Sequence, residues 1–295
     1  IQMKFNINMK APENRTALLK KSRVKKGVIY TGKTSHFKDI YQSIRALRNP
    51  PLFDNGASQR EKDNSNLPAE VWVNARDMGI CESIFHNTVK AEAGSEALKL
   101  GTTCRALPDK VAGFTSKFYA LLGTSFTDVV FIDADNIAVG NLHDVFDSEA
   151  YQKTGAVIWP DLWGDECYLE RGNEAMGGYG YTSFESHVLW RAKIGGLEWK
   201  PVRNIAQEAE AGQVALNLTR HATLLEMGRR MIEDELFYKK IFNGDKDIFR
   251  FIFLIMGEPF HFVSRFPGYS TNLNKGRDCI TQYFDSPRAV VSTRT

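Results

Sequence analysis

The sequence has no apolar run long enough to cross a membrane. Its most apolar stretch, Ile248 to Met256, carries Arg250 and falls well short of the roughly 20 residues that a span needs. Net charge is also scarce. Across 295 residues, 38 Lys and Arg stand against 35 Asp and Glu, a formal +3. So weak a field excludes a dedicated nucleic-acid binder. Cysteines number four (Cys81, Cys104, Cys167 and Cys279), and none forms Cys-x-x-Cys, which argues against a cysteine-built zinc site. An even count allows two disulfides or four reduced core thiols. Gly177-Gly178-Tyr179-Gly180 is not followed by Lys-Ser/Thr, so it is not a phosphate-cradling loop. No internal repeat and no low-complexity tract is present. No apolar leader is visible either, and any leader or anchor is expected upstream of Ile1.

Aromatic residues are plentiful. With 19 Phe, 10 Tyr and 5 Trp the chain has ample surface to bury, which excludes disorder. Its length suits one large α/β domain or two small ones, and a chain of this size buries roughly three quarters of its unfolded surface. Residues 1–26 are polar and carry eight Lys and Arg against Glu13 alone. They read as a basic arm or stem, and 27–295 as a single domain. The remainder holds 30 basic and 34 acidic residues, so the domain itself is mildly acidic.

Short apolar runs at Gly27–Thr31, Ala69–Val73, Asp128–Ile132 and Val157–Trp159 predict buried strands. His36 to Leu47 has helical spacing through Phe37, Ile40, Ile44 and Leu47, stopped by Asn49-Pro50-Pro51. Phe114-Thr115-Ser116 offers an N-cap for a helix over Lys117–Leu122, with Gly123 as its C′ residue. Asp245 offers another cap, for a buried helix over Lys246–Ile255. Val214–Leu218 and Phe237–Phe242 are ambiguous, and the Pro- and Gly-rich tail after Gly257 is expected over the surface of the site. Strands alternating with helices predict an α/β sheet.

The strand Val129-Val130-Phe131-Ile132 ends in Asp133-Ala134-Asp135. A strand end delivers its side chains to the carboxyl edge of an α/β sheet, where ligands bind. Hard divalent cations take oxygen ligands, often one or two carboxylates plus substrate phosphates. The pattern therefore implies Mn²⁺ or Mg²⁺ bridging the protein to a diphosphate. The alternative reading is that the two Asp residues simply end a strand and cap a turn.

Five blocks in order raise the specificity. These are Lys117-Phe118-Tyr119-Ala120-Leu121-Leu122 with Ser125-Phe126, Val130 to Asn136 with Leu142-His143-Asp144-Val145-Phe146, Gly155 to Trp163, Glu210 to Asn217, and Gly244 to Phe249. Together they resemble the nucleotide-sugar core of GT-A glycosyltransferases, and most of all the fungal-type α-1,2/α-1,3-mannosyltransferases that branch mannans. The likeness runs from about Gly27 to Gly257. It implies a Rossmann-like GT-A fold with a mixed, mostly parallel sheet flanked by helices. It also implies a retaining transfer of a hexose, with GDP-mannose as the favoured donor and a glycan or glycoprotein as acceptor.

The resemblance assigns roles. Asp133 and Asp135 hold the metal, with Asp133 also serving the donor ribose. Lys117 resembles the donor-contacting lysine of retaining enzymes such as glycogenin and would stabilise the leaving diphosphate. A snorkelling surface lysine would look the same in sequence. The end of Gly27–Thr31, with Thr31, borders the nucleotide. Glu210 to Asn217 resembles an element beside the anomeric carbon. There Glu210 and Gln213 are the catalytic candidates, with Asp245 from the later block, and Gly212 and Asn217 are donor-binding. Gly212 would let backbone approach the sugar. Trp159, Asp161 and Trp163 fall where the acceptor would lie, although a Trp at a strand end is more often core. The loop at Gly177–Gly180 suits a mobile acceptor loop. His261 is the candidate third metal ligand, although its aromatic surroundings favour a core histidine.

Three alternatives share some of these features. One is a UDP-sugar-dependent retaining transferase. Another is a haloacid-dehalogenase-like phosphatase, whose nucleophile strand normally opens its domain, whereas Asp133 is mid-chain. The third is a non-catalytic sugar-binding homologue. The sequons at Asn14 and Asn217 would be acceptors only in a secretory compartment. A type II membrane enzyme of the Golgi or another secretory lumen is the expected setting, reached through an anchor absent from this chain; a cytoplasmic one is the alternative.

Overall fold

The computed structural model describes residues 26–48, 67–86, 101–161, 209–233, 245, 248–265, 267–272, 277–284 and 289–294. The arm before Lys26, Trp163, the Gly177–Gly180 loop, Asn14 and Phe237–Phe242 lie outside them.

In chain order the elements are β1 (Lys26–Thr31), α1 (Phe37–Arg48), β2 (Ala69–Val73), α2 (Met78–Phe85), β3 (Thr102–Ala106), α3 (Thr115–Gly123) and β4 (Asp128–Ile132). Next come β5 (Asn136–Ala138), α4 (Leu142–Asp147), α5 (Glu149–Thr154), β6 (Ala156–Pro160), β7 (Ala209–Asn217), α6 (Leu218–Glu233) and α7 (Ile248–Met256). The described part ends with β8 (His261–Phe262), β9 (Gly268–Asn272), β10 (Arg277–Tyr283) and β11 (Ala289–Arg294). No helix among the described residues is long and apolar enough to cross a membrane.

The main sheet has seven strands in the order β3-β2-β1-β4-β7-β6-β8. β3, β2, β1 and β4 are mutually parallel, β7 runs antiparallel to both β4 and β6, and β6 pairs in parallel with β8. This is the mixed, mostly parallel α/β sheet expected from the sequence. The chain winds outward from β1 to β3 and then returns to place β4 on the other side of β1. That reversal opens a crevice between the carboxyl ends of β1 and β4.

Alternation along the strands divides the core into two faces. Ile29, Val129, Phe131, Val214 and Ile158 point toward α3, α6 and α7, where Phe118, Leu225 and Ile252 meet them. Val28, Tyr30, Val130, Ile132 and Ala215 point the other way, toward Phe37, Ile40 and Ile44 of α1. Both faces are covered, so these strands read as continuous apolar runs. Gly123 is not a C′ residue. It ends α3 itself, and an added Cβ there would lie 2.6 Å from the Trp72 ring.

The tail does more than lie over the surface. β9, β10 and β11 form a second antiparallel sheet that captures β5, with Ser292 opposite Ile137. The strand that follows Asp135 is thereby fixed from behind. Cys81 in α2 and Cys104 in β3 form a disulfide.

Candidate active site

Helix α3 begins at Thr115 and so carries Lys117 in its first turn, at the carboxyl end of β4. The side chain is buried, with the residue 5% exposed. Its Nζ donates to Asp133 Oδ2 at 2.8 Å and to the Ala211 carbonyl at 3.0 Å, and it forms an ion pair with Asp245. It also lies 5.3 Å from the centre of the Phe131 ring. An ammonium has three donors; Asp133 and the Ala211 carbonyl accept two of them, and Asp245 faces the group as an ion pair. Burial on its own would lower the Lys117 pKa, but Asp133 and Asp245 outweigh it and hold the group above its ordinary value. Burial raises the Asp133 pKa; Lys117 opposes that rise, and Asp245 and Asp135 reinforce it.

Lys117 is therefore not a snorkelling surface residue. It is a buried cation holding two carboxylates, rather than one reaching out to a phosphate. The cluster sets one cation against two carboxyl groups, and exposed Asp135 adds a third.

The turn that presents the carboxylates is held from β7. Asp133 N–H donates to the Gly212 carbonyl at 2.7 Å, and Asn136 N–H to the Asp133 carbonyl at 3.0 Å. Asn136 Nδ2 donates to the Gly212 carbonyl at 3.0 Å and to Gln213 Oε1 at 2.9 Å. Gln213 is fully buried and fastens the turn, so it does not face a substrate. Glu210 turns back on its own strand, where Oε1 accepts from the N–H groups of Ala211 at 2.9 Å and Gly212 at 2.8 Å. Gly212 matters through a close approach, but to Asn136 instead of a sugar: a Cβ there would lie 2.6 Å from Asn136 Nδ2. Asn136 directly follows Asp135, and that position is the one sign in the sequence of its part in the turn.

Asp245 belongs to the cluster, as expected of a site residue, but its carboxylate goes to Lys117. The helix it was expected to cap begins at Ile248, whose N–H meets the Asp245 carbonyl at 3.4 Å. Thr31 ends β1 at the crevice and is 8% exposed.

Three expected roles do not survive. Asn217 pairs with Asp128 at the opposite end of β4 from Ile132 and Gln213, so it sits ~13 Å along the strand from the carboxylates. Its amide donates to Asp128 at 2.8 Å, and its Oδ1 accepts from Arg220 N–H at 2.9 Å, capping α6. His261 lies on β8, three strands from β4 and level with Val157, or ~14 Å across the sheet. Its ring packs 6.1 Å from that of Phe284, which makes it a poor partner for Asp133. Trp159 is fully buried against Phe284, so it is core and offers no face to a sugar. Asp161, two residues further on, is 1% exposed.

The carboxylates can accept a divalent cation in part. Asp135 is exposed, and one oxygen of Asp133 remains after Lys117 has taken the other. No group of three His, Cys, Asp or Glu among the described residues could hold a metal. One or two carboxylates completed by substrate phosphates is an ordinary arrangement for Mg²⁺.

The chain is similar to several known proteins. Alpha-1,2-mannosyltransferase MNN22 of Candida albicans is 26% identical over 229 residues, covering 70% of this chain and 39% of that protein. Alpha-1,2-mannosyltransferase MNN2 of Saccharomyces cerevisiae is 32% identical over 102 residues, covering 34% of this chain and 17% of that one. The chain thus spans well under half the length of either relative. Among solved structures, the glycosyltransferase GlyE of Streptococcus pneumoniae TIGR4 aligns over 82% of this chain and 46% of its own, at 12% identity and a TM-score of 0.46. Residues 25–288 match the mannosyltransferase family Mannosyl_trans3, and this chain belongs to that family.

Proposed function

We propose that this chain transfers mannose from a nucleotide-sugar donor, with GDP-mannose favoured, to a glycan or glycoprotein acceptor, with retention of the α-configuration. The observation that carries the reading is the buried Lys117, Asp133 and Asp245 cluster at the carboxyl edge of β4, with exposed Asp135 beside it. Asp135 and the remaining oxygen of Asp133 would hold Mn²⁺ or Mg²⁺. When bound, such an ion supplies positive charge against a departing nucleoside diphosphate. Family membership sets the phosphatase reading aside.

The protein's own residues do the positioning. Lys117 keeps Asp133 and Asp245 together, and Asn136 and Gln213 keep the turn in place through β7. A site organised before the substrate arrives needs no reorganisation during the reaction. In a front-face departure and attack, the leaving phosphate oxygen takes the acceptor proton, which agrees with Glu210 and Gln213 being engaged inside the protein.

The Cys81–Cys104 disulfide supports an oxidising secretory lumen such as the Golgi, because disulfides persist there and are rare in the cytosol.

A panel of GDP-, UDP- and ADP-sugars with Mn²⁺ and an α-mannoside acceptor tests the reading. Mannose transfer from GDP-mannose, with nucleoside diphosphate released, is the expected result. Preferential transfer from a UDP-sugar would replace the donor assignment. Binding without turnover of any donor would favour the non-catalytic homologue.

A further inference from the structure

A buried amide joins the two sheets. Gln282 lies on β10, in the second sheet, and is fully buried. Its Nε2 donates to the Pro160 carbonyl at 3.0 Å, and Pro160 ends β6 of the main sheet. Both strands depart from regular pairing here. β10 shifts register against β11 between Gln282 and Tyr283, and β6 shifts against β7 between Ile158 and Pro160. Bulges interrupt the ladder and re-aim side chains, and they are frequent beside active sites. The Gln282 amide bonds across these two irregular stretches.

Stability does not account for the residue. Gln282 Oε1 is buried with no hydrogen-bond partner among the described residues. One bond made against one acceptor stranded adds little to stability. Apolar packing already joins the sheets, with the Phe284 ring 6.4 Å from that of Trp159 and 6.1 Å from that of His261. Such packing is non-directional, whereas a hydrogen bond to one carbonyl sets a position.

What that position governs is the carboxylate turn. β10 pairs with β11, and β11 pairs with β5, where Thr293 stands opposite Asn136 and Ser292 opposite Ile137. Asn136 directly follows Asp135. β7 is antiparallel to both β4 and β6, so β6 runs parallel to β4. Pro160 therefore stands at the same edge of the main sheet as Asp133, two strands or ~10 Å away. The second sheet reaches from the end of β6 back to the strand behind Asp135.

We infer that Gln282 is a positioning residue for the transfer. By holding Pro160 it fixes the second sheet, and through β11 and β5 it fixes the turn that carries Asp133 and Asp135. It touches no substrate. The inference rests on the reading of that turn as the donor site.

Two variants test it. Gln282→Met keeps the length and packing and removes both polar atoms; Gln282→Asn keeps the amide but is one methylene too short to reach Pro160. Each is compared with the wild type by amide hydrogen exchange, melting temperature and mannose transfer from GDP-mannose with Mn²⁺. Exchange in β5 and β11 should quicken about tenfold in both variants, while β1 and β2 exchange as in the wild type. The melting temperature of Gln282→Met should stay close to wild type, because the bond lost at Pro160 is offset by the stranded acceptor removed with it. Its kcat should fall about 10- to 100-fold, with the donor KM within about threefold of wild type. Wild-type exchange in β5, or an unchanged kcat, would overturn the inference. So would faster exchange throughout the chain with a lowered melting temperature in both variants, which is the mark of a merely structural residue. A wild type that transfers from no donor would overturn the donor-site reading, while the exchange pattern still decides whether Gln282 holds the turn.

Discussion

Lys117 and Asp133 are separated by 16 residues in the sequence and by 2.8 Å between Nζ and Oδ2. The pair spans the carboxyl edge of the sheet, joining the first turn of α3 to the end of β4. With Asp245 on its other side, Lys117 is the single cation between two carboxylates.

Lys117→Met should therefore harm fold and activity together. It removes the cation and leaves the buried Asp245 carboxylate facing the partly exposed Asp133 without a partner. Breaking a buried ion pair from one side costs about 3 to 5 kcal/mol. Urea unfolding should show that loss, and transfer activity should vanish. A variant of wild-type stability would contradict the arrangement.

Gly212→Ala tests how the turn is held. The added methyl would meet Asn136 Nδ2 at 2.6 Å and Glu210 Oε1 at 3.1 Å. Overpacking of this kind costs about 1 to 3 kcal/mol. The Asn136 clasp should loosen, and kcat should fall more than KM rises.

His221 makes stability depend on pH. It is 1% exposed and packs on Phe253, its Nε2 meets the Thr154 carbonyl at 2.9 Å, and its Nδ1 has no partner among the described residues. Burial pushes its pKa down to about 4, from an ordinary 6.5. Between those values the unfolded chain binds a proton that the native state refuses. The contribution of His221 is thus complete above about pH 6.5 and lost progressively as the pH falls toward 4. Thermal unfolding across pH 4 to 8 should show this slope, and His221→Gln should flatten part of it.

The Cys81–Cys104 bridge ties α2 to β3 across a separation of 23 residues. Replacing both by Ser should cost about 3 kcal/mol. A reducing agent should lower the wild-type melting temperature and leave that of the double variant unchanged.

The central strands were legible because they are buried on both faces, so Gly27–Thr31, Ala69–Val73 and Asp128–Ile132 stand out as apolar runs. Strand β3 was not recognised: it lies at the sheet edge, and Thr102-Thr103-Cys104-Arg105-Ala106 has little apolar signal. Helix α6 did carry a readable stripe at Leu218, Leu224, Leu225, Met231 and Ile232, broken by non-helical geometry at His221. Placing Asn217 beside the donor required knowing that β7 runs antiparallel to β4. That direction is set by long-range pairing and leaves no mark in the local sequence. The resemblance makes His261 a candidate metal ligand, but the sheet puts two strands between it and β4. Motif residues on one strand end, Asp133 and Asp135, were within reach of local reasoning, whereas the partnership of Lys117 with Asp245 was not.

Asp135 provides the most direct test, because it is exposed and its replacement by Asn leaves packing untouched. Mannose transfer from GDP-mannose with Mn²⁺ should be measured for the wild type and Asp135→Asn, beside their melting temperatures. The expected result is a loss of about 100-fold or more in kcat/KM with an unchanged melting temperature. Wild-type transfer by Asp135→Asn would contradict the assignment of the carboxylate turn as the donor site.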